Sequence, residues 1–274
     1  MTAPRLTIIV PYRDRAQHLS VFLPGLARYF ERDKADHVVP YRVMIVEQAS
    51  GLPFNRGAMK NIGFIMARDC SDYVCFHDVD YLPIWADYSY CEQTMPIAWY
   101  GALTRPVSSR SKVTLFLKDA DVDLFGAVVL CPVEAFAKVN GYANSYWGWG
   151  MEDTDLRFRF NAAAIPCGRR KGTFQPLFHD SHGYYDDGSL NPEAKANQEI
   201  FERRWPRAAP HVASDETRTD GLSSVRFSLV DKRDISDQVR PERPAIFEKV
   251  TVRLDISPTP EQRAAHASMK SIRV

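Results

Sequence analysis

The 274-residue sequence lacks several features that would place it in a specialised class of protein. No apolar run approaches the roughly 20 residues that cross a bilayer, so neither a transmembrane segment nor a signal peptide is expected. The five cysteines are scattered without paired spacing, which favours a reduced, cytoplasmic protein over a disulfide framework. A net charge of +1 gives no electrostatic reason to expect nucleic acid as a partner.

Repeats, low-complexity tracts and convincing linkers are also absent from the sequence. With 25% charged and 45% hydrophobic residues, the composition is that of an ordinary soluble globular protein. We therefore expect a single domain over residues 1–274, with a core over 6–256 and a flexible C-terminal tail over 257–274.

Patterns typical of strands and helices alternate along the chain. Apolar, β-branched runs at 6–10, 41–47 and 73–76 predict buried strands, and helical spacing of apolar residues marks 18–30 and 58–68. Farther on, strands are expected at 125–130, 221–230 and 247–256, and helices at 132–139, 155–164 and 193–205. Repeated strand–loop–helix units predict an α/β fold with a mainly parallel sheet.

Residues 146–155 combine two tryptophans, two alternating glycines and three acids. A flexible aromatic segment beside carboxylates suits a sugar-binding wall next to an acid or base, because glycine frees the backbone and tryptophan offers a flat apolar face. Alternatively, the tryptophans belong to the core and the acids begin a helix, where the helix dipole favours them. Composition alone leaves both interpretations open.

A second cluster of candidate functional residues is Asp78-Val79-Asp80, directly after a predicted strand. In extended backbone the two carboxylates share one face and could hold a hard divalent cation against a diphosphate, although an Asx-turn would use the same residues. His179 and His182, three residues apart, could complete a site with Asp80, since mixed carboxylate and imidazole ligands suit Mn²⁺. Each histidine could equally be structural.

Arginines follow the predicted strands, at the edge where open α/β sheets bind ligands. Their planar guanidinium groups suit uridine or phosphate, or they lie in solvated loops; they are Arg13, Arg15 and Arg56. If these parts act together, Trp149 would lie against the sugar of a nucleotide-sugar, and Asp153 or Glu152 would accept the proton of an attacking hydroxyl. One carboxylate suffices for direct displacement, which inverts the anomeric configuration.

These segments resemble the β-1,4-galactosyltransferase family. The motif W-G-W-G-x-E-D is highly specific, and the matches come in the family's order over residues 6–256. The resemblance implies a GT-A fold and an inverting, Mn²⁺-dependent transfer from a UDP-sugar to a saccharide hydroxyl, forming a β-1,4-type linkage. The matching segments are Pro11-Tyr12-Arg13-Asp14-Arg15, Phe54-Asn55-Arg56, Asp78-Val79-Asp80, Phe125-Gly126, Asn140-Gly141-Tyr142, residues 146–155 and Asp220-Gly221-Leu222-Ser223-Ser224.

The resemblance also implies roles within residues 146–155. Asp153 falls on the family's general base, and Glu152 on a neighbouring acid that binds the acceptor or donor sugar. Trp149 falls on the tryptophan of a mobile loop, hinged at glycines, that closes over the bound donor and excludes water. Trp147 is then the packing residue, and Asp155 is expected to be a charge at the start of a helix.

Metal and nucleotide contacts carry over in the same way. Asp80 and His182 match metal ligands, and His179 falls where relatives carry Met or another ligand. Gly150 is assigned to the substrate site beside the two acids. The matching nucleotide contacts are Pro11, Arg13, Arg15, Phe54, Arg56, Asp78 and Val79.

The chain departs from the family's pattern at a few positions. Leu124 stands where galactose-transferring relatives usually have Tyr, and smaller residues there make room for an N-acetyl group, so the donor is UDP-galactose or UDP-GalNAc. Met151 replaces the commonest Gly, and Thr154 interrupts the acidic run. Without the membrane anchor of the animal Golgi enzymes, the chain resembles a soluble, bacterial-like member that acts on a polysaccharide, glycolipid or oligosaccharide.

Two other functions would use the same side chains. A metal-dependent hydrolase of nucleotide-sugars or phosphodiesters would consume the donor at a rate that no acceptor increases. A catalytically silent carbohydrate-binding relative would bind sugar independently of Mn²⁺ and UDP. The presence of Asp80, Asp153 and His182 argues against the silent relative.

Overall fold

The computed structural model describes residues 4–32, 40–90, 95–100, 102–103, 115–116, 125–177, 183, 185, 189–207, 212–239, 241 and 245–272. Three of the predicted site residues, Leu124, His179 and His182, lie outside these ranges. The strands are β1 (Leu6–Tyr12), β2 (Tyr41–Gln48), β3 (Tyr73–His77), β4 (Tyr81–Ala86), β5 (Ile97–Tyr100), β6 (Ala102–Leu103), β7 (Leu115–Phe116), β8 (Val128–Pro132), β9 (Gly168–Pro176), β10 (Phe227–Asp234) and β11 (Ile246–Leu254).

Helices connect most of these strands. None of the helices in the described ranges is long and apolar enough to cross a membrane. They are α1 (Ala16–Arg32), α2 (Arg56–Ala67), α3 (Val133–Lys138), α4 (Glu152–Ala162), α5 (Pro192–Arg204), α6 (Asp215–Thr219), α7 (Ser236–Val239) and α8 (Pro260–Ile272), with a 3₁₀ turn at Arg68–Cys70.

In the described part of the chain, nine strands form one sheet in the order β10-β11-β2-β1-β3-β8-β5-β9-β4, and β6 pairs with β7 separately. The central strands β11, β2, β1 and β3 are parallel neighbours. Antiparallel pairs flank them, of β10 with β11 and of β8 with β3. The predicted α/β fold with a mainly parallel central sheet is confirmed. Because β2, β1 and β3 are parallel, their carboxyl ends meet at one edge.

The sequence of β1 explains why helices cover both faces of the sheet. All seven of its residues are buried. Ile9 packs in the apolar layer that includes α2, whereas Ile8 and Val10 pack in the layer that includes α1, since successive strand residues point to opposite faces. The strand continues through Pro11 because its pairing with β3 ends at Ile9, so the missing amide breaks no ladder on that side.

Several predicted boundaries differ from the structure. Phe125 and Gly126 precede β8 instead of belonging to it, and turns at 222–224 separate Gly221 from β10. The helix expected at 155–164 begins at Glu152, so all three acids of residues 146–155 lie inside its first turn. The strand boundaries differ because apolar runs predict burial better than they predict where strand pairing begins.

The flexible tail expected over 257–274 is not found at Pro260–Ile272, which form α8. This helix packs along α5. Its Gln262 is buried, and the side-chain Nε2 donates to the carbonyl of Ser145 at 2.7 Å. On α8, His266 Nδ1 lies 2.5 Å from Glu193 Oε1. Polar contacts of this kind hold α8, and sequence periodicity does not reveal them.

Candidate active site

The loops that leave the carboxyl ends of β1, β2 and β3 carry the predicted functional residues. Arg13 follows β1, Arg56 begins α2 after β2, and Asp78 follows β3 directly. Because these three strands are adjacent and parallel, residues distant in sequence meet at one edge of the sheet.

Asn55 fixes the start of α2 and therefore the direction of Arg56. Its Oδ1 accepts a hydrogen bond from the amide of Ala58 at 2.8 Å, which is an N-cap. Its Nδ2 donates to the carbonyl of Asn144 at 2.6 Å, and its own amide donates to Gln48 Oε1 at 2.7 Å. The loop between β2 and α2 is thus held at both ends.

Arg56 brings three predicted acids together. Its guanidinium donates to Glu152, forms an ion pair with Asp78 Oδ2 at 3.0 Å, and lies 3.8 Å from Asp153 Oδ2. Burial lowers the pKa of Arg56, but the three carboxylates outweigh it and hold that pKa well above its ordinary value. Arg56 is therefore a permanent positive charge at the centre of the site.

Asp78 is nearly buried, and its two oxygens have different surroundings. Oδ2 contacts Arg56, whereas Oδ1 is buried and accepts no hydrogen bond from any residue of the described chain. Burial raises the pKa of Asp78 to about 6, opposed by the charges of Arg56 and Lys60. A buried acceptor without a donor is costly, so Oδ1 is an atom that a ligand donor or a cation would satisfy.

The two acids at the start of α4 differ in exposure. The side chain of Glu152 is 3% exposed and is paired with Arg56. The side chain of Asp153 is 16% exposed, and its Oδ2 lies against Gly126, where an added Cβ would be 2.3 Å from that oxygen. The Phe125-Gly126 pair of the sequence thus has a physical role, since only glycine leaves room for the carboxylate.

Lys60 belongs to this cluster and was missed from the sequence. It is 1% exposed, and its Nζ donates to Asp153 Oδ1 at 3.1 Å. The same Nζ lies 3.9 Å from Asp78 Oδ1. Its spacing of four residues from Arg56 places both cations on one face of α2, which is a signal that sequence reasoning could have used.

The glycine-rich segment before α4 has an unusual backbone. Gly148 and Gly150 have φ of +79° and +101°, and Met151 also has a positive φ of 75°. A non-glycine residue with positive φ carries conformational strain. The family's commonest residue at the position of Met151 is glycine, so this departure adds strain to the segment without removing a functional group.

The two tryptophans have different environments. Trp147 is 3% exposed and belongs to the main apolar core, as predicted. Trp149 is half-buried, and its ring covers Gly183 so closely that an added Cβ would be 1.9 Å from it. Asn197 Nδ2 donates to the carbonyls of both tryptophans at 2.9 Å each. In this structure α5 therefore holds the segment that was predicted to move.

The predicted nucleotide contacts are spread along the same sheet edge. The guanidinium of Arg13 lies 5.3 Å from the centre of the Phe54 ring and donates to the carbonyl of Leu52 at 2.5 Å. Arg15 is half-buried just before α1. Pro11 is buried within β1, and Val79 is buried in the apolar layer beside α1.

The predicted metal site is described only in part. The carbonyl of Asp80 accepts from the amide of Leu177 at 2.6 Å, which places the end of β9 beside it. His179 and His182 follow Leu177 but lie outside the described residues. Among residues that are described, no group of three or more His, Cys, Asp or Glu side chains could hold a metal ion.

Asp155 lies in the first turn of α4, as the sequence predicted. It is fully buried, and it accepts from Tyr146 Oη at 2.9 Å and from Trp205 Nε1 at 3.0 Å. It also pairs with Arg159 at 2.5 Å and lies 3.8 Å from Arg204. The sequence did not show that the end of α5 covers this face of α4 and buries the carboxylate.

Two family profiles match the sequence. "N-terminal region of glycosyl transferase group 7" matches residues 1–92, and "N-terminal domain of galactosyltransferase" matches residues 115–182, together more than half of the chain.

Several curated proteins are similar. Beta-1,4-galactosyltransferase 4 of Homo sapiens is 32% identical over 234 residues, which is 82% of this chain and 59% of that protein. A beta-N-acetyl-D-glucosaminide beta-1,4-N-acetylglucosaminyl-transferase of Lymnaea stagnalis is 32% identical over 73% of this chain and 39% of that protein. The chain thus spans less than two thirds of the length of both relatives.

The fold is also found among solved structures. The catalytic domain of Drosophila beta1,4-galactosyltransferase 7 in complex with xylobiose superposes with a TM-score of 0.66 at 23% identity, covering 93% of this chain and 95% of that one. A mutant of the same enzyme with manganese, UDP-Gal and xylobiose gives 0.65 at 24% identity, with the same coverage. The predicted GT-A fold is confirmed.

Proposed function

Because this chain belongs to the β-1,4-galactosyltransferase family, we propose that it is an inverting, Mn²⁺-dependent glycosyltransferase. It moves galactose or GalNAc from a UDP-sugar to a hydroxyl of a saccharide acceptor and forms a β-1,4-type linkage. The observation that carries the proposal is the cluster of Arg56, Asp78, Glu152 and Asp153 at the carboxyl ends of parallel strands.

The donor nucleotide is proposed to lie along the edge that carries Arg13 and Phe54. The guanidinium of Arg13 and the ring of Phe54 are already in contact, which suits a planar base or ribose. Asp78 Oδ1, the buried acceptor without a described donor, would receive a hydrogen bond from the nucleotide. Arg56 is proposed to balance the charge of the diphosphate.

Asp80, His182 and His179 are proposed to hold the cation. The residues that precede and follow the two histidines in the sequence lie close to the proposed site. Leu177, two residues before His179, donates its amide hydrogen to the carbonyl of Asp80. Gly183, one residue after His182, lies against the ring of Trp149. A bound Mn²⁺ would supply positive charge that stabilises the diphosphate leaving group.

Asp153 is proposed to be the general base. Glu152 is buried and already neutralised by Arg56, whereas Asp153 is the more exposed of the two acids. The acceptor O–H bond breaks and its proton moves to Asp153, while the oxygen electron pair forms the bond to the anomeric carbon. The bond from that carbon to UDP breaks, and its electron pair leaves with UDP. A single displacement inverts the configuration.

The experiment that tests this function measures UDP release from UDP-Gal, UDP-GalNAc, UDP-Glc and UDP-GlcNAc with simple β-linked sugars and Mn²⁺. We expect release that depends on an acceptor and is fastest with UDP-Gal or UDP-GalNAc. The Leu124→Tyr variant should shift preference toward UDP-Gal. Donor consumption that no acceptor accelerates would indicate a hydrolase, and sugar binding without any turnover would indicate a silent relative.

Metal removal is a second test. Chelation with EDTA should abolish transfer, and added Mn²⁺ should restore it. Asp80→Asn is expected to raise the Mn²⁺ concentration for half-maximal turnover by at least about tenfold, since weaker perturbations of metal sites already cost that much. Asp69→Asn, on a side chain that is 94% exposed, is the matched control and should leave that concentration unchanged. Full activity in EDTA would contradict the metal assignment.

A third test concerns the space beside the base. Gly126→Ala places a methyl group against Asp153 Oδ2, so the carboxylate must shift, and we expect turnover to fall about 10- to 100-fold. Gly168→Ala on β9 is the control, since its added Cβ would instead meet the sulfur of Met95 at 2.8 Å. The control should keep its turnover per folded molecule. Equal turnover in both variants would show that Gly126 does not make room for a catalytic group.

The cytoplasmic location expected from the sequence stays a prediction. The bacterial-like character also stays a prediction, because these relatives are animal proteins.

A further inference from the structure

Lys60 is a buried cation to which the mechanism described so far gives no role. It lies on α2, four residues after Arg56, and its side chain is 1% exposed. Lysine is almost never fully buried unless it is paired, because an ammonium group loses its hydration on burial. A lysine buried in this way therefore requires a negatively charged group beside its ammonium.

Lys60 and Arg56 form their shortest ion pairs with different carboxylates. Arg56 pairs with Glu152 and with Asp78 Oδ2, and its distance to Asp153 is 3.8 Å. Lys60 Nζ is 3.1 Å from Asp153 Oδ1, its shortest ion pair, and 3.9 Å from Asp78 Oδ1. Within the described ranges, Lys60 is the side chain that donates a hydrogen bond to Asp153.

The surroundings of the pair restrict its movement. The ammonium group lies 4.7 Å from the centre of the Tyr142 ring and 3.5 Å from its hydroxyl, a cation–π arrangement. On the other side, Asp153 Oδ2 lies against the backbone of Gly126. The carboxylate is thus held between a buried donor at one oxygen and a surface that admits no side chain at the other.

We propose that Lys60 is a positioning residue that holds Oδ1 of Asp153 and so fixes the orientation of the carboxylate that takes the acceptor proton. The inference rests on the proposed function, in which Asp153 accepts the acceptor proton. Lys60 itself neither gives nor takes a proton in the transfer. Its ammonium stays paired while the proton moves to Asp153, and the electron pairs follow the displacement already described.

Lys60→Met tests this role, because methionine has a similar length and suits an apolar surrounding. We expect kcat to fall about 10- to 100-fold, as for other small displacements of a catalytic group. The dissociation constant for UDP with Mn²⁺ and the KM for donor should change much less than kcat, since the 3.9 Å from Lys60 Nζ to Asp78 Oδ1 is too long for a hydrogen bond. Lys232→Met is the matched control, because it removes the ammonium of a lysine on β10 that is 46% exposed and pairs with Glu248, so kcat should stay within about twofold.

The double variant Lys60→Met/Asp153→Asn gives a readout that a purely structural role would not produce. If Lys60 acts through Asp153, its substitution costs nothing further once the base is gone, and the residual turnover equals that of Asp153→Asn. Additive losses, or losses of kcat, UDP affinity and thermal stability in parallel, would overturn the proposal. A kcat for Lys60→Met within twofold of the parent would overturn it as well.

Failure of the proposed function would look different. A parent protein that transfers no sugar, or an Asp153→Asn variant with full turnover, would overturn both the base assignment and the role of Lys60. A transferase that depends on Asp153 but is indifferent to Lys60→Met would leave the function in place and remove only the positioning role.

Discussion

Asp153→Asn is expected to lower transfer by about 100- to 10,000-fold, the usual contribution of a general base. The amide is nearly isosteric with the carboxylate, so its oxygen can still accept from Lys60 and fill the space beside Gly126. What the variant loses is the ability to take the acceptor proton. Initial rates with saturating donor, acceptor and Mn²⁺ measure the effect.

Binding and stability decide whether that loss is chemical. The dissociation constant for UDP with Mn²⁺ should stay within about threefold of the parent, because removal of a base that acts only in the transition state spares ground-state binding. Asp215→Asn, at a side chain that is 98% exposed, is the control and should change neither rate nor binding. If Asp153→Asn kept more than a tenth of the parent rate, Asp153 would not be the base.

Much of the fold could be predicted because its information is local. Residues 6–10, 41–47 and 73–76 are rich in apolar residues, and each became a strand within one residue or two of its expected ends. Parallel pairing then brought Arg56 and Asp78 to the same edge without any further information. The candidate site was predictable to the extent that its residues directly follow strands.

The remaining parts depend on which elements pack together. Lys60 lies on a helix that the sequence predicts, but its partner Asp153 is 93 residues away, so the sequence does not show which side chain lies opposite Lys60. Gly126 matches a family motif, yet its reason is the carboxylate that lies against it. In each case the residue can be read from the sequence. Its contact with Asp153 follows only from the packing of α2, α4 and the loop before β8.

Among these substitutions, Asp155→Asn is expected to lower stability the most, whereas Asp153→Asn is expected to lower the rate of transfer. Its carboxylate is fully buried and balances the charges of Arg159 and Arg204 while accepting from Tyr146 and Trp205. Removing one partner of a buried ion pair costs about 3 to 5 kcal/mol, because the other charge stays buried and uncompensated. For a chain of this size, that corresponds to a fall in Tm of roughly 6 to 20 °C.

The matched control for Asp155→Asn is Asp72→Asn, which removes an ion pair of 3.3 Å with Arg5 on the surface. Because exposed ion pairs contribute at most about 1 kcal/mol, thermal and urea unfolding should barely change. Below its lowered Tm, Asp155→Asn should keep the kcat of the parent, since Asp155 touches none of the proposed substrate contacts. A stable Asp155→Asn protein with low kcat would mean that Asp155 takes part in the reaction. Substitutions of Asp153 and Asp155 therefore test catalysis and structural stability separately.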